Sequence, residues 1–377
     1  MINSLKSTLS RNLTNAIGWR TNRKIIVIES DDWGSIRMPN KSIYNESNNN
    51  GLNSDKSPYT RFDTLANADD LNLLFSLLKK FKDKFGNHPV FTANVVVCNP
   101  DFKKIKESNY NTYFYESFLN TLDNYYPNEK IFDIWKNGIN EKLFTPQFHG
   151  REHVNANQWL IALRNNNPFL KQAFDLNYWG IPEFLYKNET KLNLQATYDA
   201  LNLSEIKFHK NSIKEGLEVF EQIFGYKSET FIPNNFIFDK EIIKNTLRDA
   251  GVHGLQGMKH HKQPFYDSPK RITKRRYLGL EEGMVNLVRN VYFEPSQEIS
   301  KSNVVEKCIK GIENAFYWNK PAIISAHRLN FISSINIKNR DENLKLLEEV
   351  FLRIQSKWDD IEFMDSAKLS RIIWDKE

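Results

Sequence analysis

Two adjacent carboxylates follow the first apolar run of the sequence. Residues 24–30 (KIIVIES) predict a buried strand, and Asp31 and Asp32 come directly after it. In a parallel α/β barrel the carboxyl ends of the strands form the active-site face, so a carboxylate pair at this point indicates catalysis or metal binding. The same residues also suit a turn, in which one aspartate caps the next helix and Gly34 supplies a positive φ. The pair alone leaves both interpretations open.

Two histidines follow another predicted strand, at residues 143–148. His149 and His153 are four residues apart, and residues at this spacing share one face of a helical turn, where both imidazoles can reach one divalent cation. Together with a carboxylate from the first strand end, they would form a three-ligand set with open positions, as in catalytic zinc sites. The chain has eight histidines, so such a pair also arises by chance, and solvated residues at a helix start are the alternative.

A third strand-end group is His327, which follows the apolar residues 322–326 (AIISA). A histidine in this position could act as a general acid that protonates a leaving group. A lone histidine is also compatible with a purely structural role. The remaining histidines, including His260 and His261 in a basic segment, do not follow a strand in this way, and we expect them at the surface.

The composition is that of a globular protein with a sizeable core. Of the 377 residues, 40% are apolar and 13% aromatic, which argues against disorder. The net charge of +6 comes from 52 basic and 46 acidic residues, which alternate along the chain. A nucleic-acid partner is therefore not expected, because such surfaces gather their basic residues on one stripe. The dense run at residues 270–276 (KRITKRR) is interpreted as a solvated loop, with a phosphate-binding patch as the alternative.

Several features favour a cytoplasmic location. Two cysteines, Cys98 and Cys308, stand among apolar residues and cannot form a disulfide framework. No window approaches the ~20 consecutive apolar residues that span a bilayer, so stable membrane insertion is not expected. Residues 1–28 are basic and have a transit-peptide-like composition, but the first strand follows so closely that we predict a short basic amphipathic helix.

The elements that must position these side chains alternate between strands and helices, which predicts a parallel α/β architecture. We expect one domain over residues 1–377, an irregular (β/α) barrel of seven or eight strands, with an insertion at about 168–209 that covers one end of the barrel. The predicted strands are residues 24–30, 89–97, 143–148, 230–232, 252–256, 285–293, 322–326 and 361–364, and the predicted helices are residues 68–85, 113–122, 131–141, 212–224, 240–250, 303–318 and 343–357.

These motifs resemble those of polysaccharide deacetylases of the NodB-homology type, also called carbohydrate esterase family 4. In that family an Asp-Asp pair ends the first strand, as Asp31 and Asp32 do here, and a His-x-x-x-His motif follows the third, as His149 and His153 do. The family's Leu-x-His motif is similar to residues 325–327 (SAH), and its closing segment to residues 363–369. The resemblance runs from about residue 24 to residue 373 and so spans nearly the whole chain.

The resemblance implies a role for each matched residue. Asp31 would be the general base and His327 the general acid, while Asp32, His149 and His153 would bind a divalent metal, Zn²⁺ in the first place. This division agrees with elementary chemistry, because a bound cation lowers the pKa of its water from about 15.7 to about 7 and polarises an acyl carbonyl.

Two family motifs are altered. The third motif normally has an arginine before its prolines, close to the catalytic base, whereas residues 231–235 (FIPNN) have none. Arg151, Arg328 or Arg37 could take its place. The fourth motif, with its aspartate and tryptophan, is not recognisable around residues 252–257 (VHGLQG). We interpret the chain as a divergent member with a substrate of its own.

The predicted function is that of a metal-dependent hydrolase that removes an N- or O-acyl group, above all acetyl, from a sugar or glycan precursor. Its partner would then be a carbohydrate or a sugar-containing small molecule. One alternative is a glycoside hydrolase on a related barrel, which needs two carboxylates ~5–9.5 Å apart and no metal. Another is a barrel that binds carbohydrate without catalysis. Metal content and turnover, measured together, separate the three.

Overall fold

The computed structural model describes residues 11–188, 190, 192–268 and 270–375. The predicted N-terminal helix therefore lies partly outside the described residues. Cys98 and Cys308 are buried free thiols, as their apolar surroundings predict. Among the described residues, no helix combines the length and the apolar character needed to cross a membrane.

A ten-stranded and mostly parallel sheet occupies the centre of the molecule. In chain order the strands are β1 (Lys24–Trp33), β2 (Phe91–Val95), β3 (Cys98–Pro100), β4 (Tyr115–Ser117), β5 (Phe144–Phe148), β6 (Thr230–Phe231), β7 (Gly254–Gly257), β8 (His260–Pro264), β9 (Arg271–Arg275), β10 (Gly279–Glu281), β11 (Met284–Val288), β12 (Val291–Tyr292), β13 (Ala322–His327) and β14 (Ile361–Phe363). Across the sheet their order is β10, β11, β7, β6, β5, β2, β1, β13 and β12, and β14 also pairs with β1. Strands β3 and β4, and β8 and β9, form two separate antiparallel pairs.

Helices connect most of these strands, which is the arrangement that parallel pairing requires. The helices are α1 (Lys41–Asn49), α2 (Pro58–Arg61), α3 (Ala68–Leu78), α4 (Phe102–Glu107), α5 (Phe118–Tyr125), α6 (Ile131–Asn140), α7 (Ala156–Arg164), α8 (Pro168–Asp175), α9 (Glu205–Phe224), α10 (Lys240–Asp249), α11 (Val304–Tyr317), α12 (Ile337–Lys357) and α13 (Ser366–Trp374). A mostly parallel sheet with flanking helices confirms the predicted α/β class of the (β/α)-barrel type.

The two ends of the sheet meet in one stretch of chain. Strand β11 pairs with β7, and β12, which follows after only Arg289 and Asn290, pairs with β13 on the other side. A ring of backbone pairing closed through every strand is not found in the described part of the chain. The predicted continuous strand at 285–293 is wrong at this break, because Arg289 and Asn290 turn polar side chains into the interior, where both are buried.

Two further predictions are wrong. The basic run at 270–276, predicted as a solvated loop, is largely exposed but belongs for the most part to strand β9 of the hairpin β8–β9, in which His260 pairs with Arg275. His261 in this hairpin is buried and stacks on Phe238, with ring centroids 4.7 Å apart, and His209 of α9 is buried as well. Neither histidine therefore lies at the surface. His260 is exposed and His261 buried because neighbouring residues of a strand point to opposite faces, and the packing of the hairpin decides which of the two faces inward.

The core consists of three apolar clusters. The largest packs the helices against β1, β2, β5 and their neighbours. A second cluster joins apolar residues between Val154 and Leu194 to Met38, Leu52 and Ile105, so these residues pack against the segments that follow β1 and β3. The third fills the space between β1, β11, β13 and α13. The insertion predicted at about 168–209, within a single domain, stays a prediction.

Candidate metal and catalytic site

A bulge at the carboxyl end of β1 orients the two adjacent aspartates. Strand β1 has one residue more than β2 between Ser30 and Trp33, and Asp32 adopts the left-handed conformation, with φ of 74°. Neighbouring residues of a regular strand point to opposite faces, whereas a bulge re-aims a side chain. Asp31 and Asp32 consequently line the same cleft. The turn interpretation holds only in part, because Gly34 has φ of 80° but the next helix is capped by Asn40.

The cleft lies at the carboxyl ends of the parallel strands and has a volume of about 90 Å³. It is much smaller than the ~300–1,000 Å³ typical of sites for drug-sized ligands, so it suits a small group at the end of a larger substrate. The lining residues are Asp31, Asp32, Arg37, Tyr59, His149, His153, Pro233, Asn235, Phe236 and His327. All five residues that the sequence singled out are among them.

Three nitrogen and oxygen donors converge in this cleft. Atoms of Asp32, His149 and His153 all lie within 4.8 Å of one another. Oδ1 of Asp32 is 3.4 Å from Nε2 of His149 and 3.1 Å from Nε2 of His153. The two imidazole rings have their centroids 5.3 Å apart, although residues 149–155 form an irregular segment and not the helical turn that the spacing predicted.

The residues present fit a divalent cation. Nδ1 of His149 is 2.8 Å from the carbonyl oxygen of Ile232, so this nitrogen carries the proton and Nε2 is left as the acceptor. Oδ2 of Asp32 is buried and has no hydrogen-bond partner. Two imidazoles and one carboxylate form the donor set of a catalytic zinc, with further positions open for water or substrate.

Arg37 reaches into the same group of donors. Its Nη2 lies 3.0 Å from Oδ1 of Asp32 and 2.9 Å from Nε2 of His153. Burial opposes ionisation of Asp32, but the charge of Arg37, followed by the contacts with His153 and His149, holds the pKa of this carboxyl well below its usual value. Burial, followed by the charge of Arg37, lowers the pKa of His153 to about 3, so this imidazole is neutral at physiological pH.

Arg289 is the arginine that pairs with Asp31. Its Nη1 and Nη2 donate to the two carboxylate oxygens of Asp31 over 2.7 and 2.6 Å, and its Nε donates to Glu29 over 2.6 Å. The amide of Asn94 also donates to Asp31, over 2.8 Å. Burial alone would raise the pKa of Asp31, but the charge and hydrogen bonds of Arg289 keep it lowered, so Asp31 is ionised at neutral pH.

None of the three arginines that the sequence offered as candidates pairs with Asp31. Arg151 pairs with Glu152 and Glu215, Arg328 forms a bidentate pair with Asp63, and Arg37 contacts Asp32. The prediction is wrong because partners in a folded chain depend on the pairing of strands and not on nearness to a motif. The sequence does contain an indication of this pair, because Arg289 interrupts the apolar run at 285–293. A charged side chain inside a strand that is predicted to be buried needs a counter-ion.

His327 lies beside Asp31 because their strands are in register. Asp31 and His327 are direct partners in the parallel pair of β1 and β13, and Nε2 of His327 is 3.7 Å from Oδ2 of Asp31. Nδ1 of His327 is 2.5 Å from Oε1 of Glu294, and Nε2 is 3.4 Å from the hydroxyl of Tyr59. Burial lowers the pKa of His327, but the charge and hydrogen bond of Glu294 outweigh it and raise the pKa to about 9. Neither Glu294 nor Tyr59 stands in a motif that would have marked it.

Comparisons with known proteins identify only distant similarities of fold. No family model matches the sequence, and no curated protein matches it. A protein from Mycobacterium smegmatis, named as a polysaccharide deacetylase, is 8% identical with a TM-score of 0.46 over 96% of this chain and 94% of its own. A protein from Pseudomonas aeruginosa PAO1 with the same description is 10% identical, with a TM-score of 0.46 over 94% and 92%. The Puue allantoinase is 9% identical, with a TM-score of 0.45 over 94% and 91%.

Proposed function

We propose that this protein is a metal-dependent hydrolase that removes an N- or O-acyl group, above all acetyl, from a sugar or a sugar-containing molecule. The observation that carries the proposal is the convergence of Asp32, His149 and His153, whose donor atoms lie within 4.8 Å of one another. Asp31 and His327 line the same cleft from the neighbouring strand ends. The cleft suits an acyl group and leaves the rest of the substrate outside.

Asp32, His149 and His153 would hold the metal. When bound, a divalent cation polarises a carbonyl oxygen and makes a water molecule more acidic. Asp31, held ionised by Arg289, takes the proton of the attacking water at its carboxylate. Asn94 and Arg289 keep that carboxylate in one orientation, because they donate three hydrogen bonds to it over 2.6 to 2.8 Å.

His327 would protonate the departing amine or alkoxide. With a pKa of about 9 it carries its proton at neutral pH. Glu294 orients the imidazole through Nδ1, which leaves the proton on Nε2 facing Asp31 and the cleft. Asp31 as base and His327 as acid would supply the two proton transfers that acyl-group hydrolysis uses, one from the water and one to the leaving group.

The test combines metal analysis with acetate release. The purified protein should contain about one divalent ion per chain and should release acetate from some member of a panel of acetylated sugars and nucleotide sugars. Asp31→Asn should keep the metal and lose ~10²–10⁴-fold in turnover, because an amide does not accept a proton. His149→Ala should lose both the metal and the turnover.

The alternatives give different results in the same experiment. A glycoside hydrolase would release sugar without any metal, and a binding barrel would show no turnover with metal present. Failure of the wild-type protein to bind Zn²⁺, Mn²⁺ or Co²⁺ would end the metal hypothesis.

A further inference from the structure

Arg37 places a permanent positive charge against two of the three proposed metal ligands. Its side chain is 2% exposed, and its Nη2 donates to Oδ1 of Asp32 and to Nε2 of His153 over 3.0 and 2.9 Å. The guanidinium is a donor only and stays charged in proteins. It therefore occupies positions that a divalent cation would also need.

The contact with His153 forces a choice between arginine and metal. A neutral imidazole has one nitrogen lone pair, and a guanidinium N–H 2.9 Å from Nε2 requires that lone pair to be on Nε2. A metal bound to Nε2 would use the same lone pair. Asp32 is under no such constraint, because its Oδ2 has no partner and each carboxylate oxygen accepts more than one bond.

The surroundings of Arg37 hold it in place. Its Nη1 donates to Oε1 of Gln195 over 2.8 Å. The guanidinium lies over the rings of Tyr59 and Trp179, 5.2 and 5.4 Å from their centroids. Trp179 also packs in the apolar cluster that contains Met38, the residue after Arg37, so the packing of this part of the chain helps to fix the arginine.

We infer that Arg37 is an internal competitor of the metal: its side chain holds Asp32 and His153 together when no cation is bound and must give up His153 when the cation enters. The affinity for metal is then set by how firmly the aromatic rings and Gln195 retain the arginine. This inference rests on the proposed function, since it concerns the same ligands.

The test is a titration with Zn²⁺ against a chromophoric chelator, with affinity and not activity as the readout. Arg37→Met keeps the length of the side chain and removes its charge and donors, so it should bind Zn²⁺ about tenfold or more tightly than the wild type. Lys262→Met removes one exposed positive charge that does not line the cleft and should bind as the wild type does. Gln195→Leu keeps the arginine but removes the acceptor of its Nη1, so a smaller tightening is expected.

The outcomes separate the inference from the proposed function. Equal or weaker binding by Arg37→Met, with binding by the wild type intact, overturns the competition and leaves the metal site standing. Absence of binding by all four proteins overturns both. Equal tightening in Lys262→Met reduces the effect to general electrostatics and also overturns the inference. If Arg37→Met does not fold, as judged by its thermal unfolding, the affinity of Gln195→Leu decides.

Discussion

Arg289 satisfies two buried carboxylates, those of Glu29 and Asp31, with one guanidinium. Glu29, Asp31 and Arg289 are all buried. Removing one partner of a buried ionic group costs about 3–5 kcal/mol, because the remaining charges are left uncompensated. We expect Arg289→Met to lower the free energy of unfolding by this amount in urea titrations. Arg371→Met, which breaks the exposed pair with Glu229, should change it by less than about 1 kcal/mol; a similar loss in both variants would contradict the assignment.

Glu294 sets the pH at which His327 can still donate a proton. A general acid works in its protonated form, so activity should fall as the pH rises through the pKa of about 9. In Glu294→Gln the carboxylate that raises this pKa is gone, and the alkaline limb of the kcat/KM profile should move toward the ordinary histidine value of ~6.5. Glu298→Gln, an exposed acid paired with Lys307, serves as the control. An alkaline limb that stays in place in Glu294→Gln would show that His327 is not the acid.

At the scale of the element, the end of β1 is held in shape by backbone conformation as well as by side chains. Gly34 follows the bulge with φ of +80°, and a Cβ at this position would lie 2.4 Å from the carbonyl oxygen of Val96. The close approach of these two backbone segments lets the turn after β1 pack on the segment after β2. A side chain at residue 34 would therefore displace the carboxyl end of β1, where Asp31 and Asp32 lie.

The chain contains a matched glycine for testing this. Gly51 has nearly the same φ, +79°, but a Cβ there would meet nothing within 4 Å. Gly51→Ala should cost only the ~1–2 kcal/mol of placing a non-glycine residue in the left-handed region. Gly34→Ala carries the same penalty plus the clash, so it should unfold at a clearly lower denaturant concentration and bind less zinc. Equal midpoints for the two variants would show that the contact with Val96 is unimportant.

At the scale of the whole molecule, a metal would join parts of the chain that are distant in sequence. Asp32 ends β1, whereas His149 and His153 follow β5, and the donors meet only in the folded state. A ligand that binds only the folded state stabilises it by ~2.7 kcal/mol at a concentration of 100 Kd. Zinc should therefore raise the unfolding temperature of the wild type and not that of His149→Ala. His260→Ala removes an exposed histidine outside the cleft and should respond as the wild type does.

The sequence alone determined the alternation of strands and helices and the five polar residues at strand ends. It could do so because burial of a parallel strand demands a continuous apolar run, which makes an acid or a histidine at its end conspicuous. One cleft is lined by all five of these residues, Asp31, Asp32, His149, His153 and His327. The direction of the chain brings the carboxyl ends of parallel strands to the same edge.

Only the tertiary structure decided which charges meet there. Arg289 is 258 residues from Asp31 in sequence, and it reaches the carboxylate because the chain crosses from β7 to β13 at that residue. Arg37 reaches the proposed ligands because the segment with Trp179 and Gln195 folds over it. Such contacts follow from strand register and from packing between distant segments, and local periodicity carries no information about either.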